Sequence, residues 1–231
     1  MALQVEARHV GKVTVVKCAG RIVAGDESEH LHKEFGKLLP EHKHFVLHLG
    51  EVNFVDSSGL GLLVRLAASA RTARGDLKLC NVTKEVAHTL SITNLNRLLE
   101  VQASEVDAVS AFYQRGTAKD GALRSGKTVV CVEQSANVLA YVREVLRHAG
   151  YDPLTTPNVS DARILIKAAK PAVVILGPNV MVRGGEKSDA LRHVLAGIPT
   201  IELGSAFSTM DATEAAQQVL EQVKAHTAGK S

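Results

Sequence analysis

Two hydrophobic periods alternate along the chain, one typical of strands and one typical of helices. Residues 44–49 place apolar side chains at every second position, which predicts a strand. Leu31, Phe35 and Leu38 instead recur at helical spacing, which predicts a helix that ends before Pro40. In the first half, this pattern predicts a β-hairpin followed by strands and helices in alternation. We therefore expect an α/β fold with a mixed sheet covered by helices on at least one face.

Residues 56–61, Asp-Ser-Ser-Gly-Leu-Gly, join a predicted strand to a predicted helix rich in leucine and alanine. Asp56 or Ser57 can accept hydrogen bonds from the first unpaired amides of that helix. Gly59 and Gly61 are expected to let other backbone approach closely. A hydroxyl here lies beside the positive end of a helix dipole, which would stabilise a phosphate. The spacing alone leaves open both an ordinary helix cap and a modification site.

The second half follows the order strand, helix, strand, helix, strand, and its third strand at 172–176 is apolar throughout, as in central parallel strands. This order predicts a doubly wound parallel sheet. Segment 178–187, with Gly184 and Gly185, is expected to be a long loop. After it, we expect only one more strand, at 199–203, and one more helix, at 212–226.

Residues 115–126 contain several glycines and charges with hardly any large apolar residue. This composition is typical of a flexible linker. We therefore expect a first domain at 1–114, a linker at 115–126 and a second domain at 127–231. A length of 231 residues suits two small domains.

The composition excludes several functional classes. Hydrophobic residues make up 45% of the chain and charged residues 22%, with a net charge of +3, so no broad basic surface for nucleic acid is indicated. We interpret a local basic patch as a solvated helix end; it comprises Arg65, Arg71, Arg74 and Lys78. The chain shows neither a leader pattern nor an apolar stretch of about 18 residues. A cytoplasmic protein with no membrane span is the expectation.

Cysteines and histidines are common metal ligands, but their positions in this sequence lead us to expect no metal or cofactor site. Cys18, Cys80 and Cys131 are widely spaced, each within an apolar run, and are expected to be buried free thiols. Five histidines could bind a metal only if the fold brought them together, and we expect them at the surface. They are His30, His32, His42, His44 and His48.

The strand ending in Asn53-Phe54-Val55 and the turn at 56–61 closely resemble the signature of STAS domains, the family of bacterial anti-sigma factor antagonists. The resemblance extends over residues 3–113 and implies a STAS fold. In that family the serine directly after the aspartate is phosphorylated; it corresponds to Ser57, with Ser58 as the alternative. The resemblance implies a partner-binding turn, an anti-sigma factor that is also the serine kinase, and a serine phosphatase as a further candidate partner. The partner-binding residues would be Asp56, Ser57, Ser58, Gly59, Leu60 and Gly61.

Residues 127–226 resemble the receiver domain of response regulators, a flavodoxin-like fold, here truncated by about one strand-helix pair. A receiver needs acidic residues after its first strand to hold a metal ion and an aspartate after its third strand to accept phosphate. The corresponding positions are Glu133 and Gln134, and Gly177. Glycine has no side chain to phosphorylate. The resemblance therefore implies a degenerate receiver whose remaining use is to bind a protein of unknown identity.

Three functional classes follow for the whole chain. The first is an anti-sigma factor antagonist that binds its kinase in a phosphorylation-dependent partner switch and so releases a sigma factor. The alternative is a STAS scaffold or transporter-associated regulator that is not phosphorylated. An enzyme is the third, but Ser57 has no evident base and no glycine-rich phosphate-binding loop is present, so we expect no catalysis.

Overall fold

A computed structural model of the chain describes residues 2–119, 127–178, 180 and 186–227. Two compact units divide the chain, Met1–Phe112 and Tyr113–Ser231. Residues 120–126 of the expected linker lie outside the described part, as do Gly184 and Gly185.

The first unit alternates strands and helices after an initial hairpin. Its strands and α-helices are β1 (Gln4–Val10), β2 (Val13–Ile22), α1 (Asp26–Leu38), β3 (His44–Val55), α2 (Ser57–Thr72), β4 (Asp76–Cys80), α3 (Lys84–Ile92), β5 (Glu100–Gln102) and α4 (Glu105–Lys119), and α4 continues past Phe112, where this unit ends. The five strands pair in chain order, with β1 antiparallel to β2 and the other neighbours parallel. The predicted mixed sheet is therefore confirmed.

Helices α1, α2 and α3 cover one face of this sheet. Alternate residues of β3 and β4 supply the sheet side of the core, because successive side chains of a strand point to opposite faces. Phe45 of β3 packs against Phe35 of α1 with ring centroids 4.4 Å apart. Leu63 and Leu66 of α2 are buried in the same cluster. This packing fixes α2, and with it the turn at its beginning, against the end of the sheet.

Helix α4 covers the opposite face, where the structure corrects the predicted basic patch. Lys78 of β4 is fully buried, not exposed. Its ammonium forms an ion pair with the Glu100 carboxylate on β5, at 2.6 Å, although the geometry is not that of a hydrogen bond. The ammonium also lies 5.0 Å from the centre of the Phe112 ring on α4. Burial of the charge is compensated by the carboxylate and the ring. Lys78 is therefore a structural residue under α4.

The second unit is a parallel four-stranded sheet. Its elements are β6 (Thr128–Val132), α5 (Ala136–His148), β7 (Asp152–Thr156), α6 (Val159–Ala169), β8 (Val173–Leu176), α7 (Glu186–Leu195), β9 (Thr200–Glu202) and α8 (Ala212–Thr227). The strand order is β7-β6-β8-β9 with every pair parallel. This arrangement is consistent with a flavodoxin-like domain. The receiver resemblance stays a prediction.

Two boundaries differ from those expected. Helix α4 continues to Lys119, so residues 115–119 of the expected linker are helical. Helix α7 occupies part of a region in which the sequence predicts no helix, so two α-helices follow β8 in the described part of the chain, where one was expected. The domain boundaries at 114 and 127 stay a prediction.

The three cysteines are free and buried, as predicted. Burial raises the pKa of Cys18, Cys80 and Cys131 to about 12, so these thiols are protonated and unreactive at neutral pH. Within the described residues, no helix is both long enough and apolar enough to cross a membrane.

The buried ion pair under α4 gives a testable prediction. Glu100→Gln leaves the ammonium of Lys78 without its nearest carboxylate, and should lower the free energy of unfolding by about 2 to 3 kcal/mol. Glu51→Gln removes the carboxylate of an exposed pair with Lys17, and should have a much smaller effect because solvent screens that pair. Urea unfolding of both variants measures the difference. Equal effects would contradict a structural role for Lys78.

Candidate functional site

The turn before α2 is fixed by the carboxylate of Asp56. One oxygen, Oδ1, accepts the N–H of Gly59 at 2.7 Å and caps the helix. The other oxygen, Oδ2, accepts the N–H of Ala24, which follows β2, at 3.0 Å. Both hydrogen bonds lower the pKa of Asp56, and the bond from Ala24 has the larger effect. Asp56 is therefore ionised at neutral pH. Of the two residues predicted as the cap, Asp56 therefore fills that role.

Only one of the two glycines in the turn permits the predicted backbone approach. A Cβ atom on Gly59 would lie 2.2 Å from the carbonyl oxygen of Ile22, the last residue of β2. The prediction for Gly59 is therefore confirmed. For Gly61 it is wrong, because the nearest neighbour of a Cβ there is Nη1 of Arg65, a side-chain atom 3.5 Å away.

Exposure divides the six predicted partner-binding residues into two groups. Ser57 and Ser58, the first two residues of α2, are both exposed. Gly59 and Leu60 are buried, with Leu60 only 7% exposed. The buried pair shapes the turn, so a surface contact at this turn would be made by the exposed serines, with the partly exposed Asp56 and Gly61 beside them.

Sequence reasoning missed two residues beside this turn. Arg21 of β2 and Phe54 of β3 are register partners on adjacent strands, and Phe54 lies three residues before Ser57. The Phe54 ring is 48% exposed, and the guanidinium carbon of Arg21 lies 5.2 Å from its centre. The alternation of side chains along a strand could have indicated that Phe54 is exposed. Its neighbour Val55 faces the core, so Phe54 points to the opposite face.

The second unit has a different group of predicted site residues at the carboxyl end of its sheet. Glu133 follows β6, Gly177 follows β8, and Gln134 is exposed. Glu133 is 6% exposed; its Oε1 accepts the N–H of Ser135 at 2.8 Å, whereas its Oε2 has no hydrogen-bond partner among the described residues. A Cβ on Gly177 would lie 1.4 Å from Oε2. The Glu133 side chain therefore occupies the space that a side chain at position 177 would need.

The comparisons with known proteins concern the first half. Residues 4–108 match the family model of the STAS domain. An anti-sigma F factor antagonist of Paenibacillus polymyxa is 26% identical over 112 residues, which are 48% of this chain and 95% of that protein. A TM1081 homologue of Thermotoga neapolitana is 33% identical over 87 residues, 38% of this chain and 71% of that protein. The solved structure of the anti-sigma factor antagonist SpoIIAA in its unphosphorylated form covers 48% of this chain and 97% of its own, at 17% identity and a TM-score of 0.43.

The family model and the relative from Thermotoga neapolitana place the first unit among STAS domains. The chain belongs to the STAS-domain family. The matched family segment ends at residue 108, before the second unit begins.

The two glycines of the turn give a matched pair of predictions. Gly59→Ala should destabilise the first unit by about 3 kcal/mol, because its methyl group overlaps the backbone of Ile22. Gly61→Ala, two residues later in the same helix, should be neutral or stabilising by up to about 1 kcal/mol. Thermal unfolding measures both. A Gly59→Ala variant as stable as the parent chain would show that the close approach is not required.

The packing of Glu133 against Gly177 is tested by a double-mutant cycle. Gly177→Ala should lower stability by about 1 to 3 kcal/mol, because the new methyl group overlaps the Glu133 carboxylate. In a Glu133→Ala background the same change should cost at least about 1 kcal/mol less. Gly204→Ala is the control, since nothing lies within 4 Å of a Cβ there. Additive costs in the cycle would contradict the contact.

Proposed function

We propose that this chain is an anti-sigma factor antagonist whose binding to its partner is switched by phosphorylation of Ser57. The partner would be an anti-sigma factor that is also the serine kinase, and its capture would release a sigma factor. A serine phosphatase would return the chain to its binding form. The chain would act by binding and would catalyse no reaction itself.

One observation carries this proposal. The Ser57 hydroxyl is exposed at the first position of α2, directly after Asp56, which both caps that helix and ties it to the end of β2. A kinase can reach such a hydroxyl without unfolding the domain. The names of relatives such as the anti-sigma F factor antagonist support the same role.

The chemistry of the modification explains why it would act as a switch. A phosphate adds roughly −1.5 to −2 charges at neutral pH. The unmodified serine is neutral, so a partner that packs over the turn would meet a new, strongly hydrated anion. Displacing its water without supplying a counter-ion is costly, and a partner carboxylate nearby would add repulsion. Binding would therefore be lost while the fold of the domain is kept.

For the second unit, the proposal is a binding module without phosphotransfer. Position 177 has no side chain, and the nearby carboxylate of Glu133 is packed against the glycine instead of facing solvent. The proposed role of this unit is to bind a protein partner.

The test uses four variants of the full chain against the partner captured from cell extract. Ser57→Asp should bind at least about tenfold more weakly than the parent chain, a change of about 1.4 kcal/mol. Ser57→Ala should bind normally and resist inactivation by kinase and ATP. Ser58→Ala and Ser58→Asp are the matched controls, because Ser58 is the adjacent exposed serine of the same helix.

Calorimetric titration gives the affinities, and mass spectrometry of the kinase-treated chain identifies the modified serine. The proposal is wrong if Ser57→Asp binds as tightly as the parent chain. It is also wrong if the phosphate is found on Ser58 alone.

A further inference from the structure

The carboxylate of Asp56 already uses amides at the start of α2, which leaves fewer of them for a phosphate on Ser57. Its Oδ1 accepts the N–H of Gly59 at 2.7 Å, and a hydrogen bond from the Ser58 N–H contributes to the lowered pKa of Asp56. A helix start offers such N–H groups to an anion. Here the phosphate would also face an ionised carboxylate on the preceding residue, so a cation from another element would stabilise it.

Arg21 is a cation placed beside this turn. It directly precedes Ile22 in sequence. The carbonyl oxygen of Ile22 accepts the N–H of Asp56 at 3.2 Å and lies close to Gly59. Strand β2 therefore delivers Arg21 to the same end of the sheet as the turn. The positive charge of Arg21 also contributes to the lowered pKa of Asp56, after the backbone hydrogen bonds from Ala24, Gly59 and Ser58.

In the unmodified chain, the guanidinium of Arg21 rests on the exposed ring of Phe54. An exposed cation–π contact of this kind is weak. A charge-assisted, two-pronged contact between arginine and a phosphate is stronger and suits the planar guanidinium. Since Arg21 is itself exposed, nothing in its packing prevents it from changing partner.

We infer that Arg21 is the counter-ion for a phosphate on Ser57, and that on phosphorylation its guanidinium leaves the Phe54 ring for the phosphate. The inference rests on the proposed modification of Ser57. According to this inference, phosphorylation changes the surface at three residues. Ser57 gains negative charge, the positive charge of Arg21 is balanced by the phosphate, and the Phe54 ring loses its contact with Arg21. A partner that fits the unmodified surface would then meet a different one.

Another arginine provides a matched control. Arg65 is exposed on α2 itself, and its guanidinium lies back over Gly61, one turn from the serines. It carries the same charge as Arg21 but comes from the helix and not from β2. A general effect of positive charge would involve both arginines, whereas the proposed contact depends on Arg21.

The experiment uses the full chain with phosphoserine incorporated at position 57 during translation, so it requires neither kinase nor partner. Phosphorus NMR measures the second pKa of the phosphate, which is about 6 without a counter-ion. Asp56 should raise this pKa and Arg21 should lower it. Arg21→Gln should therefore raise the titration midpoint by at least about 0.5 unit relative to the phosphorylated parent chain. Arg65→Gln should change it by less than half as much, and Arg21→Lys should restore part of the shift.

A second measurement follows the Nε–Hε resonance of Arg21 and the ring resonances of Phe54, which should both shift on phosphorylation. A midpoint unaffected by Arg21→Gln, an equal effect of Arg65→Gln, or unchanged Arg21 and Phe54 resonances would overturn the inference. None of these results depends on partner binding. The Ser57 switch could therefore survive the failure of this contact, and the contact could be observed even if Ser57→Asp bound its partner normally.

Discussion

The first unit depends on the bridge that Asp56 makes between the start of α2 and the chain that follows β2. Its two oxygens accept N–H groups from Gly59 and Ala24, which are far apart in sequence. The bridge requires the strand end and the helix start to touch, and the absence of a side chain at Gly59 allows that contact. A rigid turn results, with Ser57 exposed on it. Rigid support of an exposed hydroxyl is what a modification site and a docking site both need.

Local pattern predicted most of the elements but not the contacts between distant ones. The alternation in residues 44–49 predicted β3, and the polar turn at 56–61 predicted the start of α2. Lys78 was predicted to be exposed, because the sequence around it does not show that α4 and Glu100 cover it in the fold. Helix α7 was missed because it follows two glycines and contributes few large apolar residues to the core. Arg21 was missed because only strand pairing brings it to the turn.

In each unit a glycine lies close to the carboxyl end of the sheet, and its missing side chain has a different consequence. At Gly59 the missing side chain admits backbone, and the turn that results presents polar groups to solvent. At Gly177 it admits the side chain of Glu133, and a carboxylate that could have faced a ligand is packed away. The first unit thus presents the exposed Ser57 at the carboxyl end of its strands, whereas among the described residues of the second unit the Glu133 carboxylate is packed against Gly177. This contrast agrees with the two different roles proposed for the units.

The packing of Glu133 onto Gly177 also has an evolutionary consequence. A mutation that restored a side chain at position 177 would overlap the glutamate, so that mutation alone would be harmful even if the side chain were useful. A smaller residue at position 133 alone would leave a void in a closely packed region. Placing a side chain at position 177 therefore requires two changes, each unfavourable without the other. Such a pair keeps position 177 without a side chain unless both residues change together.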